Sequence, residues 1–398
     1  MNTWHFFIIV PLALLFSCKS QLTPTQSAIV DANVEKTIRV ASYNIAMYGD
    51  TADEVQTRLS ASNLDAQYQK IASVIKVVRP DILVLMEMDY HPDNTILQLF
   101  HDNYLAKAID GYDTIEYPHL YQIQSNTGLL SSVDIDEDDE ISLPNDAYGF
   151  GRYEGQYASA ILSKYPIDLE SARSFQQLLW RDMPDALLPV NADGTSYYRP
   201  EVLDVFRLSS KNHIDVPIKV SADQTIHALI SHPTPPVFDG PEDKNGKRNH
   251  DEIRLWADYL SGADYLTDDI GVQGGLDSEE SFVVFGDLNA DPNDGDSYQG
   301  AMNQLLEHPR INREVALGPK IPSSNGGKSH NQKSGHLGDP AYDTSFFGLR
   351  IDYVLPSTDM GVVDSGVFWP DETEEHSDLV ANKAASDHLL VWADLVVE

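Results

Sequence analysis

Twice in this chain an amphipathic helix leads into a short run of apolar residues, and that alternation constrains the fold more than any other feature. The stretch "NLDAQYQKIASVIKVVRPD" carries Ile71, Val74, Ile75 and Val78 on one helical face and is stopped by Pro80. It runs into "DILVLMEMD", an apolar strand that ends in acids. A strand is expected ahead of the helix at "TIRVASYNIAMYG". The order returns as "TIHALISHP", "KRNHDEIRLWADYLSG" and "SFVVFGDLN", and two more strands are expected at "LRIDYVLPS" and "DHLLVWADLVV". Strands apolar on both faces need cover on both, which calls for α/β layers rather than a helical bundle or an all-β sandwich. The 398 residues suffice for one large domain or two. No internal repeat is visible.

Between these elements lie polar insertions. "SSVDIDEDDEISLPND" (131–146) is the most acidic and is expected as a solvated surface loop, with a structural calcium as the alternative. "IPSSNGGKSHNQKSGHLGD" (321–339) is expected as a loop. "FQQLLWRDMPDALLP" (175–189) is expected as a buried helix, the alternative being an exposed apolar loop.

Polar residues sit where the strands should be apolar, or at their exits. Asn44 lies in the first strand, Glu87 ends the second and His232 ends "HALISH". Asp287 and Asn289 close the next strand, Asp352 sits inside "RIDYVL", and Asp387 and His388 open the last. Burying such groups unpaired costs several kcal/mol, so they should be partners of one another or of a ligand. Singly, each has an ordinary structural reading as a turn cap, a core histidine or a loop anchor. Their shared placement at strand ends favours a common site.

Three simpler assignments fail. Asp287, Asn289 and Asp291 have the opening spacing of an EF-hand, but its sixth position is Pro292 and its twelfth Tyr298, where Gly and Glu are required. "GPEDKNGKR" (240–248) has one residue too many for a P-loop and ends in Arg248 rather than Ser or Thr, so it is expected as a basic surface turn. Neither HExxH nor a pair of CxxC motifs occurs, which excludes a zinc protease or zinc ribbon.

"VASYNIAMYG", "DILVLMEMD", "LISHPTPP", "VVFGDLNADP", "RIDYVLPS" and "ASDHLLVW" resemble, in order, the motifs of the endonuclease/exonuclease/phosphatase superfamily, the DNase I-like enzymes. "GRYEGQYASAILSKYPI" (151–167) looks like another strand and turn of that family. The resemblance runs from about Arg39 to the C-terminus. It implies a four-layered α/β sandwich (α+β), two mixed sheets face to face with helices outside. It also implies hydrolysis of phosphomonoesters or phosphodiesters with a divalent metal, Mg²⁺ foremost and Mn²⁺ or Ca²⁺ as alternatives. By motif, Glu87 would be the principal metal ligand with Asn44 and Asp387 close to the metal. Asp287 and Asn289 would orient water and grip phosphate, Asp352 would pair with His388, and His232 would be a second catalytic histidine. A hard cation taking oxygen ligands and keeping several waters suits such a set.

The formal charge, 27 basic minus 62 acidic residues or -35, gives little help in docking on a nucleic-acid backbone. The resemblance implies a phosphate-ester substrate, with nucleic acid disfavoured by the charge, and a monomer is expected. An extracellular nuclease, a phospholipase-type enzyme and, from another class, a non-catalytic binding lipoprotein are the alternatives. "MNTWHFFIIVPLALLFSCKS" is expected as a leader over residues 1–18, too short in its apolar part to span a bilayer. Its end resembles a lipoprotein cleavage site at Cys18, the one cysteine in the chain, and an ordinary cleaved signal is the alternative. A polar tether (19–36) and a domain over 37–398 would follow. The expected location is extracytoplasmic: a periplasmic or outer-membrane lipoprotein touching the membrane only through its lipid, otherwise a secreted protein.

Overall fold

The helix expected ahead of the apolar run spans Ala66–Val78. The Asp65 carboxylate caps it by accepting from the Gln67 and Tyr68 amides, and Arg79 takes a left-handed turn (φ 56°) just before Pro80. The computed structural model describes residues 1, 36–330 and 335–397. The leader beyond Met1, Cys18 and the tether up to residue 35 lie outside the described residues.

Among these residues the strands are β1 (Lys36–Met47), β2 (Ile82–Met88), β3 (His119–Ile123), β4 (Ala158–Ser163), β5 (Arg173–Ser174), β6 (His213–Lys219), β7 (Thr225–Ser231), β8 (Ser281–Asp287), β9 (Asp352–Pro356), β10 (Val362–Val367) and β11 (Val391–Val397). They form two mixed sheets, one ordered β10-β11-β1-β2-β4-β3 and the other β5-β6-β7-β8-β9. Each sheet holds a parallel pair, β1 beside β2 and β7 beside β8. Parallel neighbours need a crossover; here these include the helices Ala66–Val78 and Lys244–Leu260.

Side chains alternate along the second sheet. Ile226, Ala228 and Ile230 of β7, with Val283 and Phe285 of β8, join the core shared with Val40, Leu83 and Val391 of the first sheet. Leu229, Phe282 and Val284 instead join a second core with Ile253 and Trp256 of the helix Lys244–Leu260. The result is the four-layered sandwich, with sheets face to face and helices outside. Burying each large apolar side chain contributes about 1.5–3 kcal/mol. A one-residue slip in β7 or β8 would exchange the two faces, so the points where these strands exit are fixed by the cores.

Several segments differ from expectation. Residues 175–189 form no α-helix: Phe175, Trp180 and Met183 are buried along an irregular path with one 3₁₀ turn, Trp180–Asp182. Asp251 holds that path by accepting from the Trp180 indole and the Leu187 amide, both at 2.7 Å. The expected basic turn at 240–248 is half helix, which starts at Lys244. Arg248 is buried there and donates to the carbonyls of Leu208, Tyr148 and Arg207. The segment 321–339 contains the short helix Asn325–His330. The last strand begins only at Val391, leaving Asp387 and His388 on the loop before it.

Candidate active site

The C-terminal ends of both parallel pairs meet the start of β9 and the loop before β11. At that level the first sheet is bulged on two neighbouring strands. Register shifts between Asn44 and Met47 in β1 and between Met86 and Met88 in β2. Left-handed backbone occurs at Ala46 (φ 45°), Glu87 (φ 55°) and, at the entry to β4, Tyr157 (φ 57°). Non-glycine residues in this region carry strain, and bulges re-aim side chains. Gly286, one residue before Asp287, meets the opposite demand. A Cβ there would lie 2.0 Å from the Ser231 carbonyl oxygen, so only glycine lets β8 approach the end of β7 this closely.

Asp287 is the hub. It is buried, and its Oδ2 accepts from the Asn44 amide at 3.0 Å, while Nε2 of His232 and of His388 lie 3.4 and 3.7 Å away. Its Oδ1 accepts from the backbone N–H of Asn289 at 3.0 Å. His388 Nδ1 is held against Asp352 Oδ2 at 3.0 Å, and Thr344 donates its hydroxyl to the same carboxylate oxygen at 2.8 Å. Glu87 is partly exposed, and its nearest basic group is His232 Nε2 at 4.0 Å. The Asn289 side chain donates to the Pro233 carbonyl at 3.1 Å. Ser386 ties the last loop to β1 by donating to the Asn44 carbonyl at 2.8 Å.

The electrostatics follow from packing two buried carboxylates, Asp287 and Asp352, beside the partly exposed Glu87. Burial, reinforced by Asp287 and opposed by His388, pushes the Glu87 carboxyl up to about 7. Burial disfavours a charged His388, but Asp352, Asp287 and Glu87 outweigh it and raise that imidazole. His232 goes the other way: burial, with Lys211 and His388 nearby, pushes it well below the ordinary histidine value. One histidine thus favours the charged form and the other the neutral form.

Ligand atoms of Glu87, His232 and Asp287 lie within 4.8 Å of one another, as do those of Asp287, Asp352 and His388. Asp287 is common to both groups, and this oxygen-rich, net-negative set suits a hard divalent cation. The side chain of Asp387 falls in neither group. Its backbone carbonyl accepts from Phe346, and its charge is felt by the Tyr43 and Tyr48 phenols. A third acidic group, Asp134, Asp136, Asp138 and Asp146, forms in the loop 131–146. There Asp146 accepts from the backbone of Ile135, Asp136 and Ser142, and Asp134 from Glu137, so the run wraps and caps its own turn.

Two features of the site escaped the sequence reading. Glu252, fully buried, accepts from the Ser210 amide and hydroxyl at 2.6 and 2.8 Å and from the Thr234 amide at 2.6 Å. Asn249 on the same helix donates to the carbonyls of Thr234 and Leu288 at 2.8 and 2.9 Å. Together they clamp the loops that follow His232 and Asp287. The signal was available: both residues precede Trp256 by helical spacing, on the apolar stripe, where a polar residue needs a partner. A Glu252→Gln variant places an amide against the N–H donors and is expected to cost about 2–3 kcal/mol of stability. Urea unfolding checks this, and an unchanged midpoint would remove the clamp. The second feature is Lys211, buried in the turn before β6.

A family model, the Endonuclease/Exonuclease/phosphatase family, matches residues 41–388. Among solved structures the chain is similar to an endonuclease/exonuclease/phosphatase from Beutenbergia cavernae, at 17% identity over 91% of this chain and 72% of that one, TM-score 0.49. It is also similar to the human Nocturnin catalytic domain with bound sulfate (13% identity, 90% and 93% of the two chains, TM-score 0.45). A third is the Bacteroides thetaiotaomicron mannosyl-6-phosphatase Bt3783 (13% identity, 90% and 100%, TM-score 0.44). No curated protein sequence matches the chain significantly.

Proposed function

The chain belongs to the endonuclease/exonuclease/phosphatase family of metal-dependent phosphate-ester hydrolases, and from that premise we propose that this protein cleaves small phosphate esters by in-line attack of water. The observation that carries the reading is the Asp287 carboxylate shared by Asn44, His232 and His388, with His388 fixed by Asp352. Glu87, Asn44 and Asp287 would hold the cation; Mg²⁺ is the ion proposed. When bound, it supplies charge neutralisation at the phosphate.

The remaining work falls to the chain's own groups. Asp287, its Oδ1 fixed by the Asn289 amide, orients the attacking water and takes its proton. His388, kept charged by the carboxylates around it, faces the developing negative charge. The Asn289 amide donates to a phosphate oxygen without adding charge to an already acidic site. His232 stays neutral beside Asp287 and preserves that carboxylate's hydrogen bonding.

The test is hydrolysis of p-nitrophenyl phosphate beside bis-p-nitrophenyl phosphate, with Mg²⁺, Mn²⁺ or Ca²⁺ and with EDTA. Metal-dependent turnover is expected. Inactivity on both, with plasmid DNA and phospholipid also untouched, would leave the binding lipoprotein as the better reading. Turnover of DNA or phospholipid alone would support the nuclease or phospholipase.

The proposed location is extracytoplasmic, on the strength of residues 1–18 and Cys18; among the described residues no helix is long and apolar enough to cross a membrane. Cys18→Ala is expected to move the protein from the membrane fraction to the soluble fraction. Retention in the membrane would rule out the lipid anchor.

A further inference from the structure

Lys211 is a buried amine in an acidic neighbourhood, and among the described residues it is ion-paired with nothing acidic. Its side chain sits in the turn between Ser210 and β6, with the residue only 8% exposed. Its one hydrogen bond among the described residues runs to the Pro233 carbonyl at 3.4 Å, long for an N–H donor. Burial disfavours its charged form and Glu252, Glu87 and Asp287 favour it, the balance lying below the ordinary lysine value; among the described residues it makes no ion pair with any of the three. Glu252 accepts instead from Ser210 and Thr234 and makes no ion pair with Lys211 among the described residues. An ammonium carries three donors. Leaving a buried charge without a partner costs several kcal/mol, which the fold would shed by pairing unless the position has another use.

The position points to that use. The Pro233 carbonyl that Lys211 reaches is the one that accepts from the Asn289 side chain at 3.1 Å, and Pro233 directly follows His232. A charged donor and a neutral donor therefore converge beside the pocket of Glu87, His232 and Asp287.

We propose that Lys211 anchors a terminal oxygen of the substrate's phosphate and makes the site selective for phosphomonoesters over phosphodiesters. This rests on the phosphoesterase reading and narrows it. A phosphomonoester brings nearly two negative charges and three terminal oxygens, whereas a diester brings one charge and two such oxygens. The metal and His388 answer part of the phosphate charge, but among Glu87, Asp287 and Asp352 a second charge is still disfavoured unless a further fixed cation meets it, Coulomb interactions being strong where water is excluded. The Asn289 amide cannot make this distinction, because it is neutral. Lys211 is placed to do so, with donors to spare.

The test compares the full chain with Lys211→Met and Lys211→Arg on the two nitrophenyl substrates, and measures inorganic phosphate binding by calorimetry in the presence of Mg²⁺. Lys211→Met is expected to lower kcat/KM for the monoester about 30-fold, the diester by less than about 5-fold, and to weaken phosphate binding at least about 10-fold. Lys211→Arg should keep part of both. Equal losses on the two substrates with phosphate affinity unchanged would overturn the proposal and make Lys211 a structural residue. If Lys211→Met does not fold, Lys211→Gln is held to the same criteria, and failure of both to fold would equally mark the role as structural. Should the wild type turn over neither substrate, the small-ester reading fails. Phosphate binding that depends on Lys211 would then still support the anchor, and its absence would overturn it.

Discussion

A His388→Ala variant should lose about three orders of magnitude of turnover while remaining folded. His388 is the point where the buried Asp352 carboxylate and the Asp287 hub are joined, at 3.0 and 3.7 Å. Truncation leaves both carboxylates facing a pocket without their cation. Asp352→Asn should fall between variant and wild type, because the ring stays but its orienting charge is gone. The same pair has a signature in stability. Burial opposes the imidazolium, yet Asp352, Asp287 and Glu87 raise His388 to about 10 in the metal-free protein. A histidine raised above its unfolded value of about 6.5 contributes stability that is fully present below that value and is lost as pH rises through the folded value. The gap between wild type and His388→Ala in urea unfolding, metal-free, should therefore be widest near pH 6 and close toward pH 10. Near-wild-type turnover, or a gap that widens with pH, would contradict this account of the site.

The other large effect is expected at Glu87. Its carboxyl, pushed up to about 7 by burial and by Asp287 against the pull of His388, must give up its proton before it can hold a cation. Mg²⁺ or Mn²⁺ affinity should accordingly rise between about pH 6 and pH 8 and flatten above, as the ionised fraction saturates. Glu87→Gln should weaken binding by at least about 100-fold and erase that pH dependence. Calorimetric titration of the metal-free protein at pH 6, 7 and 8 reads both quantities. An unchanged slope in the variant would move the linked proton to another group, and unchanged affinity would exclude Glu87 as a principal ligand.

Legibility in the sequence followed side-chain chemistry. β1, β2, β7, β8 and β9 could be read because each holds a largely apolar, largely buried run of strand length. β6 could not: it contains Asp215 and Pro217, which argue against a strand. The structure explains both. Asp215 accepts from the Tyr259 hydroxyl at 2.6 Å and lies 2.8 Å from His227 Nδ1. Pro217 faces the edge beyond the two-residue β5, where only a single bridge at Ile167 pairs with β6 and Asp168 donates to the Pro217 carbonyl, so one missing donor is tolerated. The segment 175–189 looked like a buried helix because its apolar content is real. Its path is set instead by Asp251, a residue on another element.

The α/β layering and the candidate set Asn44, Glu87, His232, Asp287, Asn289, Asp352 and His388 were legible in the sequence itself. Apolar runs and the polar residues that interrupt them are local features, and each can be seen without knowing its neighbours. Which of those polar residues touch was decided by the tertiary structure alone: Asp287 as the hub, the bulge that aims Glu87, the carboxylate of Asp387 left outside both groups, and Glu252 and Lys211 brought in from distant segments. Those relations depend on two sheets docking so that the ends of both parallel pairs coincide. The docking is set by interleaved apolar faces, and no stretch of sequence near the site encodes it.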